Sequence, residues 1–176
     1  MFSFDLLRPG SFRRHFMRGV FALFCLFTVI LFTGCDLEPN NFIDDHQLNS
    51  NLIGTWRDYY EGTSYDDYII TAARLDYDSG GIGYGGTIEY VSNFSENAGV
   101  IIIKYDTSDF KLADVGKYIG VYYRSLSAGT VEMSTAINDD WSSAATVTKE
   151  QAESKFTEGN SGDYVTLWGG PYSKQP

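Results

Sequence analysis

Histidine and cysteine are scarce in this chain, and their positions decide most of its possible chemistry. Histidine occurs at His15 and His46, and cysteine at Cys25 and Cys35. From residue 47 onward there is neither. A Ser-His or Cys-His mechanism needs an imidazole to take the nucleophile's proton, so it is excluded from that part of the chain. A zinc site of ordinary type fails there for want of the same ligands. Gly81-Ile-Gly83-Tyr-Gly85-Gly86 has the spacing of a dinucleotide-binding loop. Such a loop opens a helix whose N-terminus meets the phosphate, whereas Thr87–Val91 reads as a strand, so a glycine hairpin or bulge is expected. Asp76-Tyr-Asp78-Ser-Gly80-Gly81 offers oxygen ligands at alternate positions, as the first half of a calcium loop does. The twelfth position is Thr87, not the bidentate Glu such a loop requires, and an Asp-rich turn is expected instead. Asp66-Asp67 and Asp139-Asp140 read as solvated loop acids. Paired carboxylates can hydrolyse glycosides, but nothing in the sequence singles out a pair. No catalytic residue, metal ligand or cofactor site is expected, and the chain reads as no enzyme.

Tyrosine is the remaining chemical resource. There are 13, within an aromatic fraction of 16%. They could line a pocket or carry an exposed recognition face, although Tyr is also simply favoured on half-buried sheet. Trp56, Tyr122 and Arg124 are the candidate ligand-binding residues. Trp56 is expected to plug the closed end of a barrel, with Arg124 stacked on it as a cation on an aromatic face.

These side chains must be positioned by strands. Short β-prone runs alternate with turn signals from Leu52 onward. Strands are expected at Gly54–Tyr60, Tyr65–Thr71, Arg74–Tyr77, Thr87–Val91, Gly99–Tyr105, Lys117–Leu126, Thr130–Ile137 and Asp163–Trp168. Ser95-Glu-Asn-Ala98 and Ser127-Ala-Gly129 look like hairpin connections, Asp78–Gly86 like a flexible glycine-rich turn, and 106–116 like a longer loop. One helix is expected over Lys149–Thr157, because Thr148 stands three before Gln151, a capping-box spacing. Alternation sets Val131, Met133 and Thr135 on one face of their strand. It separates Tyr118, Gly120, Tyr122 and Arg124 from Ile119, Val121 and Tyr123. Val100–Ile103 is apolar on both faces, so that strand is expected to be covered on both sides. About eight antiparallel strands in up-and-down order, with one short helix before the last, can close into a barrel and leave no exposed edge. A β-sandwich is the alternative.

The amino terminus reads as an address. Val20–Phe32 is an apolar run of 13 residues preceded by Arg13, Arg14 and Arg18. That length suits a secretory signal and is short for a membrane span. Thr33-Gly34-Cys35 follows it. This order resembles a bacterial lipoprotein signal, with Phe32 standing where the pattern most often has Leu. The resemblance implies cleavage between Gly34 and Cys35, lipidation of the Cys35 sulfur and acylation of the new amino group. Cysteine usage agrees: past the apolar run Cys35 is alone, so no intramolecular disulfide can form in the exported part. Two or three acyl chains anchor stably where one is marginal. Met17-Arg18-Gly19 would open a compact signal, so translation is expected to start at Met17. The expected organisation is a signal peptide over 1–34, an acidic tether over 35–50 and a barrel domain over 51–176.

The length of 176 residues fits one domain, and the formal net charge is −10. Arg8, Arg13, Arg14 and Arg18 lie in the signal with a single acid, Asp5, so the remaining body is more acidic still. Such a body has no basic footprint for nucleic acid. The set Gly54-Thr-Trp56, Gly86-Thr-Ile-Glu-Tyr-Val91, Ala98-Gly-Val-Ile-Ile-Ile103, Tyr118-Ile-Gly-Val-Tyr-Tyr123 and Lys155-Phe-Thr-Glu-Gly-Asn160 resembles a group of small spirochaete lipoproteins. Gly54-Thr-Trp56 is also similar to the Gly-x-Trp that opens lipocalin-like barrels. The resemblance covers about residues 52–170, implies a lipid-anchored barrel and brings no catalytic residues with it. The expected role is a lipid-anchored cell-envelope binding module. It would meet the membrane through the acyl chains on Cys35 and hold a small apolar or amphipathic ligand. The alternative is a surface or periplasmic protein-interaction module with a filled core.

Overall fold

The computed structural model describes residues 46–176 apart from Glu61, Thr63 and Thr166. Gly34, Cys35 and Met17 lie outside the described residues, and with them the signal, the cleavage point and most of the tether. Eight strands follow one another: β1 Gly54–Tyr60, β2 Ser64–Ile70, β3 Arg74–Ser79, β4 Ile82–Ser95, β5 Ala98–Ser108, β6 Tyr118–Arg124, β7 Thr130–Thr135 and β8 Gly169–Lys174. Each pairs antiparallel with its neighbour in sequence, and β8 closes on β1 through Trp56↔Lys174 and Arg57↔Ser173. This is a closed up-and-down barrel, not two stacked sheets. Closure removes both edge strands, which a sandwich would leave exposed.

Alternation decides what enters the barrel. Trp56, Tyr68, Ile70, Leu75, Ile101, Ile103, Val121, Tyr123 and Val131 point inward and are buried. The opposite faces of β5 and β6 would be wet in a bare barrel, yet Val100, Ile102 and Tyr122 are buried too. Helix α1, Lys149–Lys155, packs against β6 from outside. Its capping box is complete: the Thr148 hydroxyl accepts from the Gln151 amide, and the Gln151 side chain accepts from the Thr148 amide, both at 3.3 Å. Phe156, just past the helix, packs on Gly120, where a side-chain Cβ would stand 2.8 Å from the ring. Tyr122 donates from outside the barrel to the Thr157 carbonyl at 3.3 Å.

Three segments depart from the strand pattern of the sequence. The glycine-rich stretch turns only at Gly80 and Gly81, both at positive φ, and β4 then runs straight through Gly83, Gly85 and Gly86. The glycines serve close approach: a Cβ on Gly86 would lie 2.1 Å from the Lys104 carbonyl oxygen. Register shifts at Gly85/Gly86, Ile88/Tyr90 and Asn93/Ser95 let this long strand bend around the barrel. The described residues of 163–168 form no strand; a one-turn helix α2, Ser161–Tyr164, occupies the beginning of that stretch. The eighth strand lies later, across Gly169-Gly-Pro-Tyr-Ser-Lys174, where a proline argues against a strand. The proline is accommodated because the β7–β8 register slips between Val131 and Met133, so no ladder hydrogen bond is asked of Pro171. Asp66 and Asp67 are not loop acids but lie within β2. Asp67 is buried beneath Arg57, its cross-strand partner, which donates to it at 2.7 and 2.6 Å.

Candidate functional site

The connections β1–β2, β3–β4, β5–β6 and β7–β8 gather at one end of the barrel, and the chain ends and the other three connections at the opposite end. The second end is plugged. A 3₁₀ turn, Ser50–Leu52, crosses it. Trp56 is fully buried there and donates its indole N–H to the Leu52 carbonyl at 2.7 Å. Lys174 lies over the Trp56 ring at 5.0 Å and donates to the Asn51 carbonyl at 2.9 Å. Arg124, expected on Trp56, instead stacks on Trp168 at 4.2 Å and pairs with Glu132 at 2.7 Å. It lies on the outward face of β6, and an inward Trp is out of its reach.

The first end is hollow. A cavity of about 450 Å³ reaches down between the strands, and Phe110 and Trp141, 54% and 64% exposed, stand at its mouth. Its walls carry Tyr68 from β2, Tyr77 from β3, Tyr84 from β4, Tyr105 from β5 and Tyr172 from β8. The rings form a connected belt, with centroids 5.0 Å apart for Tyr68–Tyr77, 5.1 Å for Tyr68–Tyr172, 5.2 Å for Tyr77–Tyr84 and 5.3 Å for Tyr84–Tyr105. The Thr135 hydroxyl, reaching in from β7, lies 3.3 Å from the Tyr68 hydroxyl and also hydrogen-bonds Tyr84. Below this cluster, Ile70, Leu75, Ile103, Val121 and Val131 fill the barrel.

The electrostatics of the cavity follow from burial. Burial pushes the hydroxyls of Tyr68, Tyr84, Tyr105 and Tyr172 above the ordinary tyrosine range. Tyr77 is raised by burial first and then by the neighbouring Asp66 carboxylate. All five are therefore neutral phenols at neutral pH. They donate and accept hydrogen bonds and present apolar ring surface, but they are not nucleophiles. Asp66 also lines the cavity, and its Oδ1 is buried with no hydrogen-bond partner. Asp58 stands directly opposite it on β1. Asp114 at the mouth is already paired with Lys117 at 2.8 Å, and Lys111 donates to the Trp141 carbonyl at 3.1 Å.

The candidate residues of the sequence do not meet at this cavity. Trp56 is in the plug. Tyr122 and Arg124 are on the outer wall, where a separate groove of about 290 Å³ is lined by both together with Phe94 and Trp168. The sequence presents the tyrosines of the belt only as part of an undivided set. Asp66 lies in β2 and not in a loop as expected, and its alternation with Tyr68 and Ile70 places it on the inward face. Thr135 was assigned to its face correctly but without a role. Exposed apolar side chains from two connections, Phe110, Trp141 and Leu167, line the mouth, and Ile82 and Leu112 are exposed at the same end of the barrel. Among the described residues no helix is long and apolar enough to cross a membrane, and no group of three or more His, Cys, Asp or Glu is placed to hold a metal. No protein-family model, no curated protein and no solved structure matches the chain.

Proposed function

We propose that the chain is a lipid-anchored cell-envelope protein that carries a small amphipathic molecule inside its barrel. The observation that supports this most is the cavity of about 450 Å³. Small barrels are often filled by their own side chains, and one that keeps a cavity of this size has room for a single small ligand. The walls suit an amphipath: ring surface for its apolar body and protonated hydroxyls for its polar end. Anchoring rests on the Thr33-Gly34-Cys35 sequence and the apolar run before it.

Solvent extraction of the purified full chain, followed by mass spectrometry, tests the carriage reading. The expected result is a small apolar molecule in near-stoichiometric amount, reduced in Ser108→Phe, which fills the cavity wall at the β5 end. An extract without such a molecule, from a protein that also takes up no added small apolar probe, would sink the proposal. A second reading, a protein-interaction module, is favoured by the apolar rim, since exposed apolar clusters of this kind mark contact surfaces. The hollow mouth end departs from the filled core first attached to that reading.

A further inference from the structure

We propose that the ligand is an organic cation, an ammonium group on an apolar body, with Asp66 as its counter-ion. This rests on the carriage reading above and adds the charge of the cargo. A carboxylate drawn into an apolar enclosure is costly unless a cation or several donors meet it. Asp66 is half-buried on the cavity wall, with the Tyr77 hydroxyl beside its carboxylate and with Oδ1 buried and without a hydrogen-bond partner. Its neighbour across the ladder is another acid, Asp58, so the local field is negative.

Among the described residues the arginines are engaged elsewhere. Arg57 is held by Asp67, Arg74 by Asp76 and Asp106, and Arg124 by Glu132. On the cavity wall the one basic side chain is Lys111, whose Nζ is turned to the Trp141 carbonyl. Among the described residues Asp66 thus has no ion-pair partner, and the lysine of the cavity wall is turned to the mouth. The surrounding tyrosines strengthen the same preference. Phenol rings attract cations over their faces, and phenol oxygens accept hydrogen bonds from an ammonium. The terminal torsion of an Asp side chain is soft, so the carboxylate can reorient toward a bound cation. An anionic amphipath such as a fatty acid would meet Asp66 as a like charge and is disfavoured.

Three probes of one size separate these terms: phenethylammonium, 2-phenylethanol and phenylacetate, titrated calorimetrically into the full chain at fixed ionic strength. The expected order is phenethylammonium first, about tenfold tighter than the alcohol as a charge-assisted hydrogen bond requires, with phenylacetate weakest. Asp66→Asn, which keeps the shape, should bring the ammonium down to the level of the alcohol and leave the alcohol within about twofold. Ser108→Phe should weaken all the probes that bind. If the alcohol binds in the cavity and the ammonium binds no tighter, the charge inference falls and carriage stands. If none of the three binds, carriage falls with it. Ammonium binding that survives Ser108→Phe would place the site outside the barrel and overturn the inference. Should Asp66→Asn fail to fold, the ranking in the unaltered chain decides alone.

Discussion

Tyr68, Tyr77, Tyr84, Tyr105 and Tyr172 keep their protons because ionising them would place charge inside the barrel. Their folded-state values are raised above the ordinary 10.0, with burial the first cause in each. The sign of the linkage follows. The unfolded chain releases these protons near pH 10 while the folded chain retains them, so their contribution is complete below about pH 10 and is lost as pH climbs beyond it. In an alkaline titration, tyrosinate absorbance of the buried set should rise together with loss of the β-sheet circular dichroism. Full ionisation of all tyrosines with the sheet signal intact would contradict the enclosure described here. At this scale the sequence was legible by type but not by address. Tyrosines recurring along the strands announce aromatic faces, yet which ones share a lumen depends on register across eight strands. Arg124 shows the same limit: its strand face could be read, but Trp168 reaches it from a connection whose path no periodicity encodes.

The contact between Gly120 and Phe156 shows how one element seats another. The outer face of β6 is flat at Gly120, and the ring after α1 fills that space. Gly120→Ala should therefore push Phe156 away and cost about 1–3 kcal/mol, as overpacking does. Phe156→Leu should recover part of that loss in the double variant while being destabilising alone. Denaturant unfolding of the four proteins measures this coupling, and strictly additive losses would show that the two residues do not touch. The helix was legible because Thr148 and Gln151 are local to each other and their hydrogen bonds need no tertiary partner. The covering of β5 on both sides was legible from Val100–Ile103. The extent of β4 was not, because glycines at Gly83, Gly85 and Gly86 look like a turn until a neighbouring backbone is known to press on them. The last strand was misplaced for a related reason: Pro171 is tolerated where the β7–β8 register slips, and a slip is a property of two strands together.

At the scale of the molecule, barrel closure was readable from strand number, order and the need to hide edges, and the β1–β8 pairing fulfils it. The hollowing of one end was not, since a lumen depends on how far the inward side chains of eight strands reach toward a common axis. The anchor proposed for Cys35 is independent of that lumen. Cys35→Ser should shift the protein from the membrane fraction to the soluble fraction of the envelope while leaving its fold and thermal midpoint unchanged. Retention in the membrane fraction would point to an uncleaved apolar helix instead.

The segment leading into the barrel has a mechanical side. Asn93 donates to the Gln47 carbonyl at 2.8 Å, Asn49 to the Glu96 carbonyl at 3.0 Å, Lys174 to the Asn51 carbonyl at 2.9 Å and Trp56 to the Leu52 carbonyl at 2.7 Å. Tension arriving along the N-terminal chain is therefore shared among β4, the β4–β5 turn, β8 and β1 at the plugged end. It is spent there, a barrel's length from the tyrosine belt. Under the proposed anchoring the plug would act as a strain relief, taking up a pull on the tether at the end away from the mouth.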